Sequence, residues 1–97
     1  MTKFLAAFVT FFALSTSAFA ACDKPTAPEL PDPASAVTAQ MIKAKNDVKT
    51  YLDAANGYID CVKGSASRHN AMIEEMEKVA DTFNNAVRAY KERMANA

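Results

Sequence analysis

Few residues in this chain could do chemistry, and most of them are sulfur-bearing. Cys22 and Cys61 are the only cysteines. In an oxidising compartment they form one disulfide, and in a reducing one they remain two unrelated thiols. His69-x-x-Met72-x-x-x-Met76 sets an imidazole and two thioethers along one helical face, a soft donor set of the kind that holds Cu(I). The same three residues also fall on or beside an apolar seam, where methionine serves as packing. Glu74, Glu77 and Asp81 form an acidic row, but a straight helix supplies no calcium loop. They read as a solvated face beside the N-terminal segment, with Lys24 or Lys78 as ion-pair partners. No nucleophile has a base beside it, and there is no Cys-x-x-Cys, no haem-attachment motif and no glycine-rich phosphate loop. A rod two helices wide also lacks the concave pocket that a small-molecule site needs. The chain therefore reads as a non-enzyme with no cofactor and no metal. A copper or small-ligand carrier centred on His69, Met72 and Met76 is the alternative.

Whether the cysteines pair depends on the compartment, and the first twenty residues, MTKFLAAFVTFFALSTSAFA, address that. Lys3 precedes a short apolar run from Phe4 to Leu14, and Ala18-Phe19-Ala20 fits the small-x-small pattern that signal peptidase cuts. The run is too short for a ~20-residue membrane span. Cleavage before Ala21 would leave 77 of the 97 residues, exported into a bacterial periplasm or beyond. A second ending is open, because small residues just before Cys22 also suit a lipoprotein signal. That pattern wants an aliphatic residue where Phe19 sits, and lipidation would leave Cys61 unpaired. Only in that case would the protein sit on a membrane, as an outer-membrane-associated lipoprotein.

One small domain is all the mature length permits, and so small a core needs a staple. Removing Lys3 leaves ten Lys plus Arg against eleven Asp plus Glu, a net charge of −1. That balance gives no reason to expect nucleic acid or an anionic membrane as partner. The mature part is rich in alanine, with Gly57 and Gly64 its only glycines, a composition that favours helix over sheet.

The hydrophobic pattern predicts an all-α fold: an antiparallel two-helix coiled-coil hairpin over residues 34–97, preceded by a Pro-rich extended segment over residues 21–33. Asp32 and Pro33 suit an N-cap and first helical position, so the first helix is expected over about 33–63. Gly64 suits its C′ residue. Ser65 or Ser67 caps the second helix, expected over about 67–94. Val37, Met41, Ala44, Val48, Tyr51, Ala55, Tyr58 and Val62 alternate at four and three residues, as an a/d seam does. His69, Ile73, Met76, Ala80, Phe83, Val87, Tyr90 and Met94 repeat that alternation. Paired across the hairpin, every couple sums to 131, which centres the mirror between Ser65 and Ala66.

Two flanks of the seam also carry information. Leu52 and Ile59 on the first helix and Met72 and Val79 on the second are apolar positions beside the seam. They are expected either to widen the core or to form one interaction surface for a partner protein or a second copy. Ala54, Gly57 and Cys61 form a row of small residues on the other flank. That row suggests a path for the segment carrying Cys22, which is long enough to run back along the first helix in polyproline II form. Pro25, Pro28 and Pro31 would then face one way and slot between Tyr51 and Tyr58.

Cys22-x-x-Pro25-x-x-Pro28, followed by Tyr58-Ile59-Asp60-Cys61, His69-Asn70 and Phe83-Asn84, resembles a group of small exported proteobacterial helical proteins. The resemblance spans nearly the whole mature chain. It implies export and a helical fold, and it supplies no functional residues. The Leu-Thr-x-x-Gln motif of the stress-induced periplasmic helical chaperones is absent.

Overall fold

Two long helices and an extended strap make up the structure. The computed structural model describes residues 22–97, so the export signal expected over residues 1–20 lies outside them. Helix α1 spans Thr38–Cys61 and helix α2 spans Ala66–Ala95. They pack against each other as an antiparallel hairpin, and no strand occurs among the described residues. The seam of α1 holds from Met41 onward: Met41, Ala44, Val48, Tyr51 and Ala55 are buried, as is Val62 just beyond the helix, and Tyr58 is half-buried. The outermost expected pair, Val37 and Met94, is exposed because the chain at Val37 is not yet helical. The Thr38 and Tyr90 hydroxyls are 2.5 Å apart near the open end, which fixes the hairpin close to its expected register.

The start of α1 differs from the expectation. Asp32 does make a turn: its carboxylate accepts from Ala34 N–H at 2.9 Å and its carbonyl from Ala36 N–H at 2.8 Å. The turn is not continued. Val37 is extended, with φ −96° and ψ 162°, and the helix begins only at Thr38. The carbonyl of buried Ala36 instead accepts from the Arg93 guanidinium of α2, a tertiary partner that no local signal reveals. Val37 has no side-chain acceptor, so the cap is one-sided, with Gln40 Oε1 accepting from Val37 N–H at 2.9 Å.

At the other end, α1 closes without the left-handed glycine expected at Gly64, and no described glycine has a positive φ. Val62 N–H donates to the Tyr58 carbonyl and Ser65 N–H to the Val62 carbonyl, which reverses the chain in right-handed conformations. Ser65 Oγ accepts from Arg68 N–H at 3.4 Å and caps α2.

The strap, residues 22–33, has neither helix nor strand, and its burial repeats every three residues. Asp23, Thr26, Glu29 and Asp32 are all exposed, whereas Cys22, Pro25, Pro28 and Pro31 are all half-buried. Ala27 and Leu30, one position before two of these prolines, are half-buried too. Three residues per turn is the period of polyproline II, so two of the three edges face protein and the polar edge faces water.

Where the strap lies corrects the expected path. Ala54 and Gly57 are exposed, and a Cβ built on Gly57 meets nothing within 4 Å. The strap sits instead in the groove between the helices. Glu29, Leu30 and Pro31 border Gln40, Ala44 and Asp47 of α1. Ala27, Pro28 and Leu30 border Glu75, Val79 and Thr82 of α2. A segment in the groove touches two helices, whereas one over Ala54 and Gly57 would touch one and gain only small side chains. The strap residue that joins the core cluster is Ala27, packed against Tyr51, Ala55 and Met72, rather than a proline ring between two tyrosines.

Nothing around Gly57 requires a glycine. Gly57→Ala should therefore stabilise the protein by about 1 kcal/mol, the helix-propensity difference alone. Urea unfolding of the oxidised and the reduced protein should show the same gain in both. A loss confined to the oxidised form would mean that the strap passes over this position.

Candidate functional site

The disulfide is the chemical centre of the strap. Cys22 and Cys61 are bonded with their Cα atoms 5.8 Å apart, within ordinary disulfide geometry, and the bond links positions 39 residues apart. No described cysteine is free. Such a bond belongs to an oxidising, non-cytoplasmic compartment. A Cys22 sulfur held in it has no valence left for a thioether to lipid. No helix among the described residues is long and apolar enough to cross a membrane.

Around the bond the strap meets one polar cluster. Lys24 Nζ lies 2.9 Å from Glu75 Oε2, so the cation of the strap pairs with Glu75 rather than with the acidic row. Glu74, Glu77 and Asp81 are exposed, and the strap runs past Glu75, Val79 and Thr82 instead. The hydrogen bond to Glu75 and its charge raise the Lys24 pKa. Beside them Tyr51 is only 4% exposed, and its hydroxyl is buried with no hydrogen-bond partner. Burial and the Glu75 carboxylate push its pKa up, partly offset by Lys24.

The four apolar residues expected to share one surface are divided by the hairpin. Met72 is 1% exposed and belongs to the core with Tyr51 and Ala55. Val79 borders the strap. Leu52 lines the opposite groove with Val48, Ala80 and Phe83, and both it and Val79 also pack against the core cluster, as residues that widen the core do. Ile59 is half-buried and packs against the core cluster. The division follows from chain direction. Leu52 and Ile59 each come one residue after a seam position, and Met72 and Val79 each come one residue before one. In an antiparallel pair, flanks of the same kind face each other, so the two couples point into different grooves.

The copper alternative meets the same geometry. Met72 is buried in the core cluster and Met76 packs against it, while His69 is half-buried with Nδ1 3.3 Å from Asn70 Oδ1. The thioethers thus serve as core packing. Among the described residues, no group of three or more His, Cys, Asp or Glu is placed to hold a metal ion.

The strap leaves the opposite groove uncovered. Val48, Leu52, Ala80 and Phe83 form its floor, and Lys45, Lys49, Asp53 and Asn84 form its rim. Ile42, on the same side of α1, is 56% exposed. The sequence contained this groove in Leu52 and Phe83, but the strap's choice of the other groove was needed to identify it. Compared with protein-family models, curated proteins and solved structures, the chain matches none.

Two outcomes follow from the strap geometry. Replacing both cysteines with serine should cost about 4 kcal/mol, the chain-entropy value for a loop of this length, read as a fall in the urea midpoint. Tyr51→Phe removes an unsatisfied buried hydroxyl and should be neutral or stabilising by up to about 1 kcal/mol. Because the folded-state pKa of Tyr51 is raised above its ordinary 10.0, its contribution is complete below pH 10.0 and is lost as pH rises beyond it. Stability measured from pH 8 to 11 should fall less steeply in the phenylalanine variant. Equal slopes would show that the hydroxyl is hydrated.

Proposed function

We propose that this chain is an exported, periplasmic protein-interaction module, a strapped helical hairpin that presents its open groove to a partner protein. The observation that carries the proposal is the asymmetry of the two grooves. One carries a covalently tethered strap with an exposed polar edge, which leaves only clefts bordered by the strap itself. The other keeps Leu52 and Phe83 half-exposed over Val48 and Ala80. A module that needed only to be stable would gain by placing polar residues there, since exposed apolar area has a solubility cost. The signal-like first twenty residues and the resemblance to small exported helical proteins support the compartment. The disulfide agrees with it.

The groove rather than the strap is the binding face on this reading. A photo-crosslinking amino acid at exposed Asn84, on the groove rim, should give discrete protein adducts in intact cells. The same group at exposed Thr26, on the polar edge of the strap, should give few. Adducts from position 26 alone would move the interface to the strap side, and none from either position would remove the interaction reading.

A further inference from the structure

Apart from Lys63 at the turn, the charges around the open groove are sorted along its length. Height along the hairpin follows the register in which facing residues sum to 131. Lys45, Lys49, Arg88 and Lys91 lie toward the open end. Asp53, Glu74 and Glu77 lie toward the turn, and Asp81 is level with Thr50. All eight are exposed, and the division between the basic and acidic sets falls at the height of Thr50. The apolar positions are balanced about the same height. Leu52 sits just above it and Phe83 just below, and Ile42 and Ile59 stand at nearly equal distances on either side.

A face that is basic at one end, acidic at the other and apolar in the middle is complementary to itself when turned end for end. We propose that the groove binds a second copy of this chain, the two hairpins packing face to face and antiparallel as a four-helix bundle. This deepens the interaction reading above and rests on it. The two-fold axis lies in the interface, crosses the helices and passes at the height of Thr50. It brings Ile42 of one copy to Ile59 of the other, Arg88 and Lys91 to Glu74 and Glu77, and Lys49 to Asp53. Leu52 meets Leu52 and Phe83 meets Phe83 beside the axis. Asp81 falls near its own counterpart there, with Lys49 across the groove. The parallel arrangement would set basic end on basic end and acidic on acidic, which like-charge repulsion disfavours. An isologous contact of this kind closes on itself and builds no filament. Two helices offering ~30 Å of length at ~10 Å spacing supply roughly 500–600 Å² per copy. The total is at the lower edge of stable interfaces, so a reversible dimer is expected.

Charge exchange tests this directly. One variant carries Arg88→Glu with Lys91→Glu, and the other carries Glu74→Lys with Glu77→Lys. The substituted side chains are exposed, and circular dichroism should confirm an unchanged helix content. Light scattering coupled to size exclusion should show a wild-type dimer whose dissociation constant rises about tenfold between about 50 and 500 mM NaCl, as screened charge pairs require. Each variant alone should dissociate at least about 30-fold more readily, and an equimolar mixture of the two should return to within about threefold of wild type. A wild type that stays monomeric at about 1 mM in low salt overturns the proposal, as do variants that pair like wild type or a mixture that stays monomeric. A monomeric wild type whose position 84 still crosslinks to another protein overturns self-pairing and leaves the interaction reading standing. The absence of any adduct overturns both.

Discussion

The structure depends on one tether. Two helices alone bury a single seam, and a domain of this size holds only about 4–12 kcal/mol of net stability. The Cys22–Cys61 bond contributes on the order of 4 kcal/mol by restricting the unfolded chain, a third or more of that total. It also holds the strap in the groove, where Ala27 completes the cluster of Tyr51, Ala55 and Met72. At the other end of the hairpin the Arg93 guanidinium reaches the Ala36 carbonyl and lies over the Tyr90 ring, 5.4 Å from its centroid. The strap is thus held by a covalent bond near the turn, and the link from it to α1 by an arginine near the open end.

Helix α2 registers the strap in its own burial. Its seam residues from His69 to Tyr90 are all half-buried, whereas Met72 and Ala86, one position before the seam, are buried. Met72 lies in the same cluster as Ala27 of the strap. In a free two-stranded pair the seam would be the most buried line on both helices. The third element draws the neighbouring line of α2 inward and leaves the far flank facing water. A chain segment with no regular structure therefore decides which residues of a helix are available to a partner.

The seam of α1, the turn, the Ser65 cap and the disulfide were legible in the sequence because each rests on local or periodic signals. The errors came from long-range effects. Asp32-Pro33 is a sound helix start, yet the helix waits until Thr38 because the Ala36 carbonyl is held by Arg93, far away in sequence. Leu52 and Met72 both look like residues beside the seam, and only chain direction sends them into different grooves. The polar edge of the strap was present as Asp23, Thr26, Glu29 and Asp32 at a spacing of three. It shows which side of a polyproline segment stays wet, and hence that the other two edges both need cover. A groove provides two walls, and the flank of one helix provides one.

The same argument explains why one groove carries the strap and the other is left uncovered. The strap's dry edges carry prolines, Ala27 and Leu30, so it needs a groove with both apolar walls and a tolerance for its one cation. The strap side offers Ala44 and Val79, with Glu75 placed to pair with Lys24. The opposite groove has apolar floor residues too, so the choice rests on the tether: Cys61 lies on the flank of α1 that faces the strap groove, and its bond to Cys22 draws the segment there. The opposite groove's acidic and basic residues are separated by height, as a partner with the reverse order requires. The tether selects the groove for the strap, and the charges on the other face are left to a partner.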